Sequence, residues 1–340
     1  MKGSVIALGE WRGRKAAALI VDGRLDDLLV DPEGDGPLPG AIFRAVADRP
    51  MKGQGGLTVK LDGDLRGFLR QSKGLRPGQS LLVQVGTFAE AGKAVPVNTR
   101  LLFKSRHAIV TPDAPGVNVS RRIRDDDLRD ELTMLGKSMV PEGTGLILRS
   151  SCEGAAIEEI EADIAAMVDL AAQVAADADG QPELLVDGPD AHLSAWRDWP
   201  KPDLLADGPT AFEDHGVDEM IDTALSSRID LGGGAYAFIE PTRALVAVDV
   251  NTGGDTSPAA GLKANLALIK ALPRALRCRG LGGQVTIDFA PLPKRDRRQI
   301  ETSLRAAFRS DPIETALAGW TPLGHFELQR KRERAPVTAA

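Results

Sequence analysis

Residues 244–251 read ALVAVDVN and residues 282–290 read GGQVTIDFA, and these two segments carry the strongest prediction of the fold. Each is an apolar run that ends at a carboxylate, Asp249 in the first and Asp288 in the second. Buried strands appear in sequence as continuous apolar runs, and the residues between these two predict a helix around Leu262–Leu276. Two strands joined by a helix can be parallel neighbours. The sequence therefore predicts an α/β layer in which both carboxylates lie at the same sheet edge.

Asp249, Asp288 and Asn251 form a candidate metal site. Carboxylate and amide oxygens suit Mg²⁺, and ligands bind at this edge of an open α/β sheet. A metal ion there polarises a phosphoryl oxygen and lowers the pKa of bound water, which is phosphodiester hydrolysis in outline. The alternative is that both Asp residues cap the turns or helices that follow them, because VDVNTGGD is favourable turn sequence.

Strand and helix patterns divide the chain into regions. Short strands separated by turn signals predict a small β-barrel in residues 39–103, and alternating strands and helices predict an α/β layer in residues 226–340. Residues 104–183 mix strands with a helix, whereas residues 184–225 are rich in Pro and poor in strands. Residues 1–38 contain short β-like runs.

The composition excludes several classes of protein. The 340 residues are 43% hydrophobic with a net charge of −6, which argues against disorder. The chain contains no uninterrupted apolar run of about 18 residues, and its first residues, MKGSVIALGEWRGRK, lack the apolar stretch of a signal peptide. We therefore expect no membrane span and a cytoplasmic location. Cys152 and Cys278 are too few for a disulfide framework or a closed zinc site.

Positive charge is concentrated near the end of the sequence. Residues 274–334 contain 13 Lys and Arg against seven Asp and Glu, although the whole chain is acidic. This excess indicates an anion-binding face. The alternative is an ordinary solvated helical surface.

Three segments resemble the catalytic core of the RNase E/RNase G endoribonucleases: GGGAYAFIEPTRALVAVDVNTGGD, GLGGQVTIDFAPLPKRDRRQIE and GWTPLGHFELQRKRER. The ordered pattern is D-x-N, a helix, L-G-G-x-x-x-I-D-F and a late F-E-L-x-R-x-R. Shorter matches are MKGSV at the start, RGFL in the barrel, SRRI at residues 120–123 and GLILRSS around Arg149. The resemblance implies a metal-dependent endonuclease that cuts single-stranded, usually A/U-rich RNA in RNA processing or decay and prefers a 5′-monophosphorylated end.

The resemblance also implies an α/β multi-domain architecture. An RNase H-like domain, residues 1–38 and 184–225, is interrupted by an OB-fold RNA-binding barrel, residues 39–103, and by a 5′-end sensor, residues 104–183. A DNase I-like α/β catalytic domain, residues 226–340, follows.

The implied cofactor is Mg²⁺, with Mn²⁺ as an alternative ion. No zinc is expected, because the C-P-x-C zinc link of the family and the small dimerisation domain after it do not occur in this sequence. We therefore expect a monomer or a dimer and not the zinc-linked tetramer.

Individual residues match functional positions of the family. Asp249 and Asp288 match its metal-binding carboxylates, and Asn251 matches the residue that orients the scissile phosphate. Phe68 matches a base-stacking aromatic, for which the alternative is a barrel core residue. Lys93 matches a basic residue that faces the substrate.

Two further groups of residues are candidates for binding phosphate. Arg149 and Ser150 fall where the family has an Arg-Thr pair in its 5′-monophosphate pocket, and a guanidinium and a hydroxyl both hydrogen-bond to phosphate. The alternative for Arg149 is a surface residue at a strand end. A basic cluster that opens a helix predicts contact with the RNA backbone, or else a solvated helix start: Lys294, Arg295, Arg297 and Arg298.

The sequence departs from the family pattern at two positions that bear on activity. Pro291 stands where the family usually has a further acid, three residues after Asp288. A second barrel aromatic of the family is absent, and Thr58 or Val59 is nearest to its place. These departures allow an alternative function, a non-cleaving RNA-binding or regulatory protein on the same scaffold.

Overall fold

The computed structural model of the chain describes residues 2–51, 55–70, 73–89 and 92–337. Its contacts separate two compact units. We call Met1–Glu33 together with Pro202–Ala340 the terminal unit, and Gly34–Lys201 the middle unit.

The strands in the described residues are, in chain order, β1 Ser4–Trp11, β2 Arg14–Val21, β3 Arg24–Val30, β4 Ile42–Pro50, β5 Leu57–Lys60, β6 Arg66–Leu69, β7 Ser80–Val85, β8 Val95–Asn98, β9 Phe103–Lys104, β10 Ala108–Thr111, β11 Gly116–Val119, β12 Gly145–Leu148, β13 Glu183–Val186, β14 Leu204–Ala206, β15 Arg228–Gly232, β16 Ala235–Pro241, β17 Val246–Asn251, β18 Gly283–Asp288, β19 Thr315–Trp320 and β20 Phe326–Arg330. The α-helices there are α1 Asp126–Met139, α2 Ile157–Ala176, α3 Ala191–Asp198, α4 Ala211–Asp214, α5 Val217–Leu225, α6 Ala260–Cys278 and α7 Arg297–Arg309. Short 3₁₀ turns occupy Ser150–Cys152 and Lys294–Asp296. None of these helices combines the length and the apolar character that crossing a membrane requires.

The first sheet of the terminal unit has the strand order β14-β1-β2-β3. Strands β1 to β3 form an antiparallel meander, and β14 pairs with β1 in parallel. The sequence AAALI at residues 16–20 of β2 is buried along its whole length. Its small side chains allow both faces of this strand to be covered.

The second sheet of the terminal unit has the order β15-β16-β17-β18-β20-β19. Its β17 and β18 are parallel neighbours, as predicted, and α6 connects them. Helices α6 and α7 pack on one face of this sheet and build its apolar core. The other face carries exposed side chains, including those of Asp249 and Asp288. We call this second face the open face.

The burial pattern of β17 and β18 differs from the prediction of continuously buried strands. Residues alternate between the helix-covered face and the open face, so Val248 and Ile287 are buried while Asp249 and Asp288 are exposed. The apolar runs look continuous because Ala247, on the open face, is itself apolar.

The predicted small barrel is present in the middle unit. Its described strands follow the order β4-β5-β6-β8-β7, and pairing of β4 with β7 closes the ring. The third and fifth strands, β6 and β8, are parallel. This closed five-stranded barrel fits an OB-like domain.

The remainder of the middle unit is a sheet of order β11-β12-β10-β9 with α1 and α2 packed against it. Helix α1 begins after Asp125, whose side chain accepts a hydrogen bond from the backbone of Leu128. Residues 34–38 and 184–201, which the sequence assigned with residues 1–33, lie in the middle unit. The reason is that β13 pairs with β4 and so extends the barrel sheet.

Candidate functional site

Asp249 and Asp288 are register partners on the adjacent parallel strands β17 and β18. Because neighbouring strands lie about 4.8 Å apart, paired residues project their side chains side by side from one face. The amide nitrogen of Asn251 donates a hydrogen bond to Oδ2 of Asp249 over 2.8 Å. The fold thus brings together the three residues that the sequence predicted for the metal site.

The segment that follows Asp288 is held by a buried side chain of α6. Asn265 is fully buried, and its Nδ2 donates to the carbonyl of Ala290 over 2.9 Å. The backbone N–H of Ala290 donates in turn to Oδ1 of Asn265, also over 2.9 Å. Both backbone groups two residues after Asp288 are therefore fixed to the helix. This contact depends on how α6 packs against the chain, which the sequence alone does not reveal.

The first turn of α6 lies directly against Pro291. A Cβ atom built on Gly261 would lie 2.1 Å from the carbonyl oxygen of Pro291, which is shorter than any normal contact. Only glycine therefore permits this approach of the helix to the loop after Asp288.

The side chains at this site suit a hard divalent cation. Mg²⁺ is usually bound by one or two protein carboxylates and completes its shell with water and substrate phosphate oxygens. Two paired carboxylates with an adjacent amide provide such a donor set. The described residues contain no group of three or more His, Cys, Asp or Glu side chains arranged to hold a metal ion.

His325 lies beside the predicted site, although the four histidines of the sequence show no ligand spacing. Its Nε2 is 3.8 Å from Oδ1 of Asp288. Strand β20 pairs with β18 so that Phe326 faces Ile287, which brings the preceding residue, His325, next to Asp288. The position of His325 follows from the pairing of β18 with β20, which the sequence does not specify.

The basic cluster predicted to contact RNA is mostly exposed. Lys294 and Arg295 lie in the 3₁₀ turn before α7, and Arg298 lies in the first turn of the helix. Arg297 is half-buried, with its guanidinium carbon 4.4 Å from the centre of the Trp320 ring. Three of the four cations are therefore exposed, and the fourth packs on the protein.

Other arginines of the basic C-terminal region are buried or half-buried. Arg277 and Arg330 both bind the carboxylate of Asp311, whose side chain has no solvent exposure. Arg334 binds the buried carboxylate of Asp27. The positive charge counted in the sequence is therefore partly neutralised inside the terminal unit.

Phe68 lies on the outside of the barrel and not in its core. Its neighbours Gly67 and Leu69 are buried, whereas Phe68 is half-buried and its ring covers Gly56. Its register partner on β5 is Thr58, so no second aromatic stands opposite it. Lys93 is exposed just before β8, the strand on the other side of Phe68.

Arg149 makes several internal contacts in the middle unit. One guanidinium nitrogen donates to the carbonyls of Ser105 and Arg197, over 2.7 and 2.9 Å. Another lies 2.7 Å from Oδ1 of Asp198. Ser150, the second predicted sensor residue, begins the 3₁₀ turn that follows Arg149.

The carboxylate of Asp198 is surrounded by cations. Lys104 Nζ lies 2.6 Å from Oδ1, and the Arg197 guanidinium lies 2.9 Å from Oδ2. Burial alone would raise the pKa of Asp198, but the hydrogen bonds and charges of Arg197 and Lys104 outweigh it and hold this pKa well below its ordinary value. Together with Arg149, three cations share this carboxylate.

The two cysteines are buried and are not paired with each other. Burial raises the pKa of the Cys152 thiol to about 11 and that of Cys278 to about 12. Both thiols are protonated at neutral pH and are therefore poor nucleophiles and poor metal ligands.

The fold and the site together define a two-unit α/β protein with a closed barrel and a pair of strand-end carboxylates on an open sheet face. The sequence profile described as "Ribonuclease E/G family" matches residues 103–207 and 204–333. The chain belongs to this family.

Individual relatives agree with this assignment. Ribonuclease G of Salmonella typhimurium is 26% identical over 386 residues, which cover 94% of this chain and 78% of that protein. Ribonuclease E of Nostoc is 30% identical over 76% of this chain and 44% of its own length. Ribonuclease E of Escherichia coli is 27% identical over 76% of this chain but only 28% of its own length.

Proposed function

We propose that this chain is an endoribonuclease that hydrolyses phosphodiester bonds in single-stranded RNA during RNA processing or decay. The observation that carries the proposal is the register pairing of Asp249 with Asp288, with Asn251 bonded to the first of them. Membership of the ribonuclease E/G family supports the same reaction class. We further propose that parts of the chain form an RNase H-like domain, a 5′-end sensor and a DNase I-like domain.

Asp249 and Asp288 would hold Mg²⁺, or Mn²⁺ in its place. The ion, when bound, polarises a phosphoryl oxygen and lowers the pKa of a water molecule. Asn251 uses one amide N–H on Asp249, which fixes the amide plane, and has a second N–H to donate to a phosphate oxygen. Asn265 holds the backbone after Asp288, so the second carboxylate is positioned before substrate arrives.

RNA binding would use the outer face of the barrel and the basic cluster. Phe68 offers a half-exposed ring on which any base can stack, and Lys93 lies beside the neighbouring strand. Lys294, Arg295 and Arg298 offer exposed cations to the phosphate backbone. A preference for A/U-rich RNA is part of the proposal.

A preference for a 5′-monophosphate would depend on Arg149 and Ser150. The Arg149 guanidinium already binds Asp198, so a phosphate would have to compete with that carboxylate or bind beside it. Cleavage rates of 5′-phosphate and 5′-hydroxyl RNA, measured side by side, report this 5′-end preference separately from cleavage itself.

The test is cleavage of a short 5′-monophosphorylated, A/U-rich RNA in Mg²⁺ and in EDTA. We expect cleavage only with the metal, and a loss of about 100-fold or more in Asp249→Asn and in Asp288→Asn, because each loses an ionised metal ligand. RNA affinity should change little. Asp255→Asn is the matched control, since Asp255 is a nearby carboxylate in the loop after Asn251 and is not a register partner of Asp288.

The same assay distinguishes the proposed nuclease from the alternative, a protein that binds RNA without cleaving it. Pro291, three residues after Asp288, and Thr58 opposite Phe68 allow a protein that binds RNA without cleaving it. RNA binding without cleavage in either Mg²⁺ or Mn²⁺ would establish that alternative and remove the nuclease proposal.

A further inference from the structure

Two aromatic side chains lie on the open face immediately beside the carboxylates. In the antiparallel pairing of β16 with β17, Tyr236 is the partner of Asn251 and Phe238 is the partner of Asp249. Directly opposed residues share a face and have Cβ atoms about 4.5–5.5 Å apart. Both rings are therefore first neighbours of the proposed catalytic residues.

These rings are not part of the apolar core. Their strand neighbours Ala237 and Ile239 are fully buried under α6 and α7, whereas Tyr236 and Phe238 are half-buried on the opposite face. The two rings meet edge to face, with centroids 5.7 Å apart and planes at 84°. An aromatic pair that lies outside the apolar core of the sheet and flanks a site requires an explanation other than core packing.

An arginine completes this surface. Arg228 on β15 is exposed and is the register partner of Phe238. Its guanidinium carbon lies 4.4 Å from the centre of the Tyr236 ring. The contact holds a positive charge over the aromatic surface, on the same face as the carboxylates of Asp249 and Asp288, which would otherwise repel a nucleic acid strand.

We propose that Arg228, Tyr236 and Phe238 form a subsite that stacks one nucleobase of the RNA strand next to the scissile phosphate and binds its backbone through the guanidinium. The proposal rests on the proposed function and adds to it a stacking surface within the catalytic sheet itself. Aromatic rings and guanidinium planes stack with any base, so the subsite positions the strand without selecting a sequence.

The experiment follows the fluorescence of 2-aminopurine, which falls when this base stacks. It is placed at successive positions of a short A/U-rich single strand, and binding to the full chain is measured in EDTA so that the RNA stays intact. We expect quenching at a position that is lost in the double variant Tyr236→Leu, Phe238→Leu, with affinity about fivefold or more weaker. Glu240→Gln, on the same strand and face but beside Ala247, is the matched control and should behave as the parent.

An abasic sugar at the quenched position tests the same subsite without altering the protein. It should weaken binding to the parent about as much as the double variant does and should have no further effect on that variant. Equal quenching in the parent and the double variant, or a loss that is uniform at every position, would overturn the subsite while RNA cleavage by the parent still stood. A parent that neither bound nor cleaved RNA would overturn the proposed function itself.

Discussion

Asp198 places one carboxylate among three cations. Lys104, Arg149 and Arg197 all lie within hydrogen-bond distance of its two oxygens, which leaves an excess of positive charge in one small region. Without the carboxylate these cations would repel one another. Asp198 therefore holds together the residues among which Arg149 was predicted to recognise a terminal phosphate.

Asp198→Asn should lower the free energy of unfolding near neutral pH by about 2 kcal/mol, because it weakens hydrogen bonds between charged groups. The pKa of Asp198 is depressed in the folded chain. Its stabilising effect is therefore complete above the unfolded value of about 4 and decreases as the pH falls toward the folded value. Urea unfolding of the parent and the variant across this range measures the difference.

The control for that comparison is Asp179→Asn, an exposed carboxylate of the same unit, which should change stability little. If the difference in unfolding free energy between the parent and Asp198→Asn increased on acidification, the depressed pKa of Asp198 would be contradicted. The same variant should also alter the ratio of cleavage rates for 5′-phosphate and 5′-hydroxyl RNA if Arg149 binds the 5′ end.

Some site residues were predictable from the sequence and others were not. Asp249 and Asp288 end two recognisable strands, and a connecting helix makes those strands neighbours, so their proximity followed from connectivity. Tyr236 lies on β16 and His325 immediately precedes β20, and the sequence did not specify the pairing partners of either strand. Their places beside the site depend on register, and a shift of one residue would have moved each to the other face.

Helix α6 and the loop after Asp288 form one packed element. Asn265 binds both backbone groups of Ala290, and Gly261 allows the carbonyl of Pro291 to touch the first turn. The helix thus determines where the end of β18 lies.

Gly261→Ala should disturb this contact, because the added methyl would lie 2.1 Å from the Pro291 carbonyl oxygen. We expect a loss of about 1–3 kcal/mol in stability, as for overpacking, together with slower RNA cleavage. Gly254→Ala in the preceding loop is the control, since a Cβ there meets no atom within 4 Å. Thermal melting and a cleavage assay on both variants are the measurements. Equal behaviour of the two variants would show that the close approach has no effect on the site.

The strand pattern of the second sheet predicts more burial than the structure shows. An apolar run that ends in a carboxylate predicts a strand buried on both faces. Helices cover only one face, and Ala247 supplies the apolar residue on the other. The carboxylates are exposed, so a substrate can reach them and no burial penalty has to be offset. The barrel was predicted more easily, because short strands and turn signals follow one another in sequence order.

On the scale of the whole molecule, the charge available for RNA is smaller than the sequence indicates. Arg277, Arg330 and Arg334 bind internal carboxylates in the terminal unit. Exposed cations remain in the cluster at the start of α7: Lys294, Arg295 and Arg298.

Replacing these three exposed cations with Gln should weaken RNA binding and reduce its dependence on salt. Each phosphate contact on a single strand contributes about 0.7 to the slope of log affinity against log salt concentration, so the slope should fall by about 2. The double variant Arg305→Gln, Arg309→Gln, toward the other end of α7, is the control and should keep the parent slope. Titrations at several salt concentrations measure both. An unchanged slope in the triple variant would mean that this helix start is only solvated surface.

Arg277 also binds Asp26 and Asp27 near the start of the chain, and Arg334 near its end binds Asp27. A fragment limited to residues 226–340 would retain Asp249, Asn251 and Asp288 but would lose both of these early aspartates. Arg334 would lose its carboxylate partner, and Arg277 would keep only Asp311. The second sheet of the terminal unit is therefore not a separable module, and the opening residues of the polypeptide are as necessary to it as the strands that carry the carboxylates.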